Sequence, residues 1–118
     1  MTGPRLRTDF WVAALRRRAE GEGAYVSIAK KGAEEAGAVF VVVDRRDGSF
    51  DLYGPAPQSV FAEEHPAERL FVLIAGAATE EAVRTRMEGE SRFDPDFWRV
   101  DIEDRSGRAF VEVIASPY

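Results

Sequence analysis

The fold is decided by the stretch GAVFVVVDRRDGSFDLYGPAP at residues 37–57. Residues 38–43 form a continuous apolar run rich in β-branched side chains, which predicts a central strand covered on both faces. Asp47-Gly48 then provides a hairpin turn, because glycine accepts the positive φ that tight turns require. Residues 50–53 return as a second strand, and Pro55 ends it, since proline cannot donate a hydrogen bond to a neighbouring strand. The stretch therefore predicts an antiparallel hairpin inside a sheet.

The rest of the chain supplies two helices and further strands around this hairpin. Thr8-Asp9 before an apolar run predicts a helix with Thr8 as its N-cap, and a second helix is predicted from Thr79. Apolar runs predict more strands, at residues 24–29, 70–74, 98–102 and 110–114, the last one entered through a turn at Ser106-Gly107. Because hairpins dominate this order, we predict one α+β domain over residues 1–118. Its sheet is five- or six-stranded and mainly antiparallel, with two helices packed on one face.

The chain is long enough to bury a substantial core, since it has 118 residues. Its 45% hydrophobic and 31% charged residues are typical of a globular protein and argue against global disorder. The side chains predicted to fill the core are Trp11, Leu15, Val39, Val41, Phe71, Leu73, Trp98 and Val100.

The residue inventory excludes several kinds of site. The sequence has no cysteine and a single histidine. Disulfides, thiolate catalysis, cysteine-ligated metals and sites with two imidazole ligands are therefore impossible within one chain. We predict no cofactor. No stretch reaches the length of a membrane span, and the basic start of the chain lacks the apolar core of a signal peptide, so we expect a cytoplasmic location.

The net charge of −5 is unevenly distributed. Residues 1–59 carry nine basic and eight acidic side chains, whereas residues 60–118 carry seven and thirteen. This acidic balance argues against nucleic-acid binding, because phosphate neutralisation by Lys and Arg supplies most of that affinity. The exception is the amino-terminal segment with Arg5, Arg7 and the run Arg16-Arg17-Arg18. At least one arginine of the run must lie beside the apolar stripe, where it snorkels to solvent or pairs with an acid of the sheet. A patch for anions or nucleic acid is the functional alternative.

His65 is the one side chain whose ordinary pKa lies near neutral pH. It shares the acidic connection over residues 58–68 with Ser59, but no nucleophile-elbow motif surrounds any serine of this sequence. A histidine before a proline in an acidic loop is typical of a solvent-exposed position. The sequence therefore identifies no catalytic residue.

The densest group of acids follows the second predicted helix. Asp94 and Asp96, together with Glu103 and Arg105, form a candidate surface site, because paired carboxylates hold a divalent ion or divide general acid and base roles. A structural interpretation is favoured for the first two. Asp94 precedes a proline and can accept hydrogen bonds from backbone groups of a turn, and the ligand spacing of a calcium loop is missing.

Five stretches of the sequence, spread over most of the chain, occur in the order seen in a known family. They are TDFWVAALRR at 8–17, KG at 31–32 with AGAVF at 36–40, LYGPAP at 52–57, RFDPDFW at 92–98 and EDR at 103–105. Together they resemble the alphaproteobacterial domain-of-unknown-function family 1491. The resemblance implies a small cytoplasmic bacterial protein. It implies no activity, cofactor or catalytic residue, so no site residue is transferred from it.

Two functional hypotheses follow from the sequence. The first is a non-catalytic binding or interaction module, since the surface carries charges of both signs and strand edges suited to a protein partner or a homodimer. A homodimer would have twice the 13.1 kDa mass of the chain. The alternative is a small-molecule or divalent-metal-dependent enzyme that uses the carboxylates of Asp94, Asp96 and Glu103.

Overall fold

The computed structural model describes residues 6–57 and 69–116 of the chain. These residues form two helices and six strands. In chain order the elements are α1 (Thr8–Gly21), β1 (Tyr25–Lys30), β2 (Val39–Asp44), β3 (Phe50–Pro55), β4 (Leu70–Ala78), α2 (Glu80–Phe93), β5 (Trp98–Glu103) and β6 (Glu112–Val113).

All six strands lie in one sheet, in the order β1-β5-β2-β3-β4-β6. Antiparallel pairing joins β1 to β5, β2 to β3, and β3 to β4. Parallel pairing joins β2 to β5 and β4 to β6. The predicted α+β class, with a single and largely antiparallel sheet, is confirmed. The predicted hairpin is the β2–β3 pair, and Gly48 in its turn has a φ of 90°.

The two helices cover opposite faces of the sheet, so the prediction that both pack on one face was wrong. Side chains alternate between the two faces of a strand. Val39, Val41 and Val43 of β2 belong to a cluster that includes the buried residues of α1. Phe40 and Val42 belong to a second cluster that includes the buried residues of α2. The continuous apolar run of β2 is therefore needed because each face of this strand meets a different helix.

Most of the predicted core is confirmed. The buried members are Leu15, Val39, Val41, Phe71, Trp98 and Val100, and the partly buried Trp11 stacks on Phe71 with 5.6 Å between ring centroids. Leu73 is the exception, with 47% of its surface exposed. Helix α1 packs mainly over β1, which lies at the edge of the sheet away from β4. The helix therefore does not cover Leu73 of β4.

The predicted start of the second helix at Thr79 is confirmed, whereas the predicted N-cap of α1 was wrong. The Thr79 side chain accepts a hydrogen bond from the Ala82 amide and caps α2. Thr8 instead lies inside α1 and is fully buried. Its hydroxyl donates to the Gly37 carbonyl at 3.1 Å, which satisfies a buried polar group and joins the helix to the connection before β2.

The predicted last strand is shorter than expected and has a different partner. Only Glu112 and Val113 form β6, which pairs with β4 and not with β5. Phe110 has a φ of 60°, a conformation that interrupts an extended strand. The segment after β5 therefore crosses one face of the sheet, where Ala109 joins the cluster under α1.

The connection between β1 and β2 packs against the start of β5. The Ala33 amide donates to the Asp96 carbonyl at 2.9 Å, and the Trp98 indole Nε1 donates to the Ala33 carbonyl at 2.8 Å. Gly32 lies so close to the Asp96 and Phe97 backbone that a Cβ at this position would clash with it. These contacts fix the indole of Trp98. They also fix the backbone of the connection next to Lys31, which precedes Gly32.

Candidate functional site

The four residues of the predicted surface site do not converge. Asp94 and Asp96 precede β5, and the Asp94 carboxylate accepts a hydrogen bond from the Asp96 amide at 2.9 Å, as the predicted turn requires. Glu103 ends β5, and Arg105 follows it. With about 3.3 Å per residue along a strand, β5 separates the two acids of the turn from Glu103 by roughly 20 Å.

Glu103 and Arg105 border a different surface. Glu103 accepts a hydrogen bond from the Arg46 guanidinium at 2.7 Å, and Arg105 is exposed beside it in a shallow depression. No three His, Cys, Asp or Glu side chains come close enough to hold a metal ion within residues 6–57 and 69–116. His65 and Ser59 lie outside the described residues.

Asp104, which was not among the four predicted site residues, is the buried acid of this region. Its carboxylate accepts three hydrogen bonds from Arg108, one from the backbone amide at 2.7 Å and two from the guanidinium at 3.0 Å. Hydrogen bonding by the Arg108 side chain lowers the pKa of Asp104 below its ordinary value. Arg108 also donates to the Glu22 carbonyl at 3.2 Å, so the pair joins the end of β5 to the segment after α1.

We expect Asp104→Asn to destabilise the protein at neutral pH by about 1–3 kcal/mol, because a hydrogen-bonded buried charge is lost. A carboxyl whose pKa is lower in the folded state contributes its full stability above the unfolded pKa of about 3.9. That contribution is lost as the pH falls through the folded pKa, so the difference between the two proteins should shrink there. Urea unfolding across this pH range measures it. Asp101→Asn is the control with a smaller effect, because the Asp101 carboxylate, paired with Arg99, is more exposed than that of Asp104. Parallel stability curves for wild type and Asp104→Asn would contradict the prediction.

A groove of about 460 Å³ lies between α1 and the outer strand β1. We call it the α1–β1 groove. Its lining comes from one side of the helix, from β1, from the connection after β1 and from the start of β5. The lining residues are Asp9, Val12, Ala13, Arg16, Arg17, Glu20, Ile28, Lys31 and Trp98.

The floor of the α1–β1 groove is apolar. Val12 and Trp98 are buried members of the cluster under α1, and Ile28 packs against that cluster from β1. The indole of Trp98 is held by its hydrogen bond to the Ala33 carbonyl. Since these side chains belong to the helix–sheet interface, the floor is a rigid part of the fold.

The rim of the groove carries two cations without a partner among the residues described. Two other charged pairs at the rim are internal: Arg16 binds Glu20 at 3.3 Å, and Arg7 binds Asp9 at 3.1 Å. The hydrogen bond from Arg7 lowers the pKa of Asp9. Arg17 and Lys31 form no ion pair or hydrogen bond with residues 6–57 or 69–116. Arg7 also contacts Glu34 at 3.4 Å, so the acids nearest this end of the groove share one arginine. Arg17 and Lys31 are therefore the two rim cations that no direct contact with a described residue neutralises.

The arginine run of α1 is only partly explained by the sequence. The prediction was that at least one of its arginines lies beside the apolar stripe and either snorkels to solvent or pairs with an acid of the sheet. Arg18 donates to the Phe110 carbonyl at 2.7 Å and not to an acid, and Arg16 pairs within its own helix. Arg17 points to the groove rim. No local pattern in the sequence indicates that Lys31, fourteen positions away, joins Arg17 there.

Strand β1 lies at one edge of the sheet and borders the groove through Ile28. It pairs with β5 on one side, and no strand of the described chain pairs with it on the other. Tyr25, Ser27 and Ala29 are exposed on the face away from α1. The backbone groups on the outer side of β1 are therefore available to another extended segment.

Neither described helix has the length and hydropathy of a membrane span.

The comparisons with known proteins identify relatives of the same size. The chain is 41% identical to a DUF1491 family protein of Caulobacter crescentus, whose crystal structure superposes with a TM-score of 0.76, with 92% of this chain and 97% of that chain covered. It is 40% identical to protein Atu0922 of A. tumefaciens, whose solution structure gives a TM-score of 0.83, with 96% and 98% covered.

No curated protein sequence matches the chain. The sequence family described as "Protein of unknown function (DUF1491)" matches residues 6–112. The resemblance found in the sequence is thereby confirmed, and the chain belongs to the DUF1491 family.

Proposed function

We propose that this protein is a non-catalytic binding module and that the α1–β1 groove is its binding site. The observation that carries the proposal is an apolar floor, formed by Val12, Ile28 and Trp98, beside two cations that no described residue neutralises. Binding sites typically combine an apolar surface with a few polar groups that fix orientation. Arg17 and Lys31 supply those groups and select an anionic ligand.

The size and the chemistry of the groove support this proposal. Its volume of about 460 Å³ falls within the range of ligand sites, roughly 300–1,000 Å³. The two acids in its lining, Asp9 and Glu20, are engaged by Arg7 and Arg16. Because both carboxylates are in ion pairs, neither is free to act as a general base. Binding requires only the apolar floor and the two cations.

The metal-dependent alternative receives less support from the geometry. Its carboxylates lie at opposite ends of β5, with Asp94 and Asp96 before the strand and Glu103 at its end, and Glu103 accepts a hydrogen bond from Arg46.

A binding module in the cytoplasm is also consistent with the absence of cysteine, which is typical of chains that need no disulfide in a reducing compartment.

The proposal is tested with the fluorescent probe 8-anilinonaphthalene-1-sulfonate, which combines an apolar ring system with one negative charge. We expect the folded protein to enhance its emission. Ala13→Trp, which fills the groove from the exposed side of α1, should weaken binding about tenfold, or 1.4 kcal/mol. The matched control is Ala82→Trp, on the exposed surface of α2.

The two tryptophan variants must keep the wild-type circular dichroism and unfolding midpoint, because the probe also binds loosened cores. Equal affinity for wild type and Ala13→Trp would overturn the groove as the binding site. So would an equal loss of affinity in Ala82→Trp.

A further inference from the structure

We infer that the ligand of the α1–β1 groove is an extended, acidic segment of a protein partner, which adds a strand to the outer side of β1. The inference rests on the proposed function, since it names the occupant of the same groove. It is carried by the position of the groove beside an unpaired strand edge and by the charge of its rim.

The strand edge provides the backbone part of such a site. β1 has six residues and pairs only with β5 in the described chain. From Tyr25 to Ile28, before the register shift between Ile28 and Lys30, alternate N–H and C=O groups point away from the sheet. Ile28 belongs both to this strand and to the groove lining. A segment paired with β1 would therefore run directly along the groove, and its backbone would provide affinity that is independent of sequence.

The side chains of an added strand alternate between the two faces of the sheet. On the face where Val26 and Ile28 lie, every second side chain of the segment would enter the groove between β1 and α1. Apolar side chains at these positions would cover the floor around Trp98. Side chains on the other face would remain in solvent, beside the exposed Tyr25 and Ser27.

The rim charge selects an acidic segment. Asp9 and Glu20 are already paired with arginines, whereas Arg17 and Lys31 have no partner among the described residues. A carboxylate that reaches these two cations gains charge-assisted hydrogen bonds, and a basic segment is repelled. Specificity for acidic side chains follows from this asymmetry.

A second copy of the chain satisfies this site less well. Strand β1, with the sequence YVSIAK, contains no acidic residue and ends in Lys30. Pairing of β1 with its own copy would therefore bring no carboxylate of the added strand to Arg17 and would place Arg17 and Lys31 of both copies at one interface. We expect light scattering to give a mass near 13.1 kDa and not twice that value.

The experiment selects ligands from a displayed library of random nine-residue peptides on the full chain. We expect the selected peptides to carry acidic and apolar residues at alternate positions. The peptide that binds best is then resynthesised with one backbone N-methyl group at each position in turn. Because a strand donates from every second amide towards its neighbour, N-methylation should weaken binding at least about tenfold at alternate positions only.

Two charge reversals locate the bound peptide. Arg17→Glu combined with Lys31→Glu should abolish binding of the acidic peptide, whereas Arg92→Glu, on the exposed last turn of α2, should leave it unchanged. Peptide addition should also slow hydrogen exchange of alternate amides in β1.

Three results would overturn the inference. They are a failure to select any peptide, a sensitivity to N-methylation that repeats every three or four positions as in a helix, and a dimer whose β1 is closed by its own copy. If the peptide fails but Ala13→Trp still weakens binding of the fluorescent anion, only the inference is lost. If the fluorescent anion also fails to detect the groove, the proposed function is lost as well.

Discussion

Gly32→Ala is expected to destabilise the protein by about 3 kcal/mol, the upper end of the usual cost of overpacking. A Cβ at Gly32 would lie 2.6 Å from the carbonyl carbon of Phe97 and would also clash with the Asp96 carbonyl oxygen. Both obstacles are backbone, and the hydrogen bond from the Ala33 amide to the Asp96 carbonyl holds the two segments together. Urea unfolding followed by circular dichroism measures the free energy of unfolding.

Gly89→Ala is the matched control for this prediction, with an effect of opposite sign. Gly89 lies inside α2, and a Cβ there would meet nothing within 4 Å. Alanine is a better helix former than glycine by about 1 kcal/mol, so this variant should be more stable than the wild type. A loss below about 1 kcal/mol in Gly32→Ala would show that the connection can move away from β5.

Phe71→Ala is expected to cost about 3–5 kcal/mol, as for other large aromatic side chains removed from a core. Phe71 is 2% exposed and stacks on Trp11, so it joins β4 to α1. Its removal leaves a cavity between the helix and the sheet. Thermal and urea unfolding should both show the loss. The free energy of binding of the fluorescent anion at the groove should change by less than the free energy of unfolding.

Phe93→Ala provides the comparison for the same chemical change at the surface. Phe93 ends α2 with 89% of its surface exposed. A substitution there should change the free energy of unfolding by less than about 0.5 kcal/mol. Equal losses for Phe71→Ala and Phe93→Ala would contradict the assignment of Phe71 to the core.

The sequence was most informative where the signal is local. The hairpin between β2 and β3 was predicted because a turn at Asp47-Gly48 separates two apolar runs, and the structure confirms it. A helix starting from Thr79 was predicted as well, and the structure shows that Thr79 caps it. Thr8 carries the same local signal, but its hydroxyl bonds to Gly37, which is remote in sequence.

The pairing of strands that are distant in the chain could not be predicted from local sequence patterns. The parallel contact of β2 with β5 joins Val39 to Trp98, and no turn marks such a pairing. The placement of the helices was different, because the apolar run of β2 already predicted a strand covered on both faces. If both helices packed on one face, the other face of β2 would lack a covering helix. In the structure each face of β2 is covered by a different helix, as the apolar run predicted.

The candidate site shows the same limit. The carboxylates that are close in sequence, Asp94 and Asp96, form a turn, and no third acid within residues 6–57 and 69–116 completes a metal site with them. The groove instead combines Arg17, Lys31 and Trp98, which come from three distant parts of the chain. Its apolar floor was predicted in part, since Trp98 was assigned to the core. Its location was not, because it depends on β5 lying beside β1.

The position of β5 between β1 and β2 has a consequence for how this protein is made. β1 and β2 are synthesised one after the other, yet neither can pair with the other, and β1 pairs only with β5 in the described chain. A nascent chain that has emerged as far as α2 still lacks the strand that joins its two halves. Synthesis must therefore pass Glu103 before β1 can pair, and until then the apolar strands made first lack the neighbour that joins them.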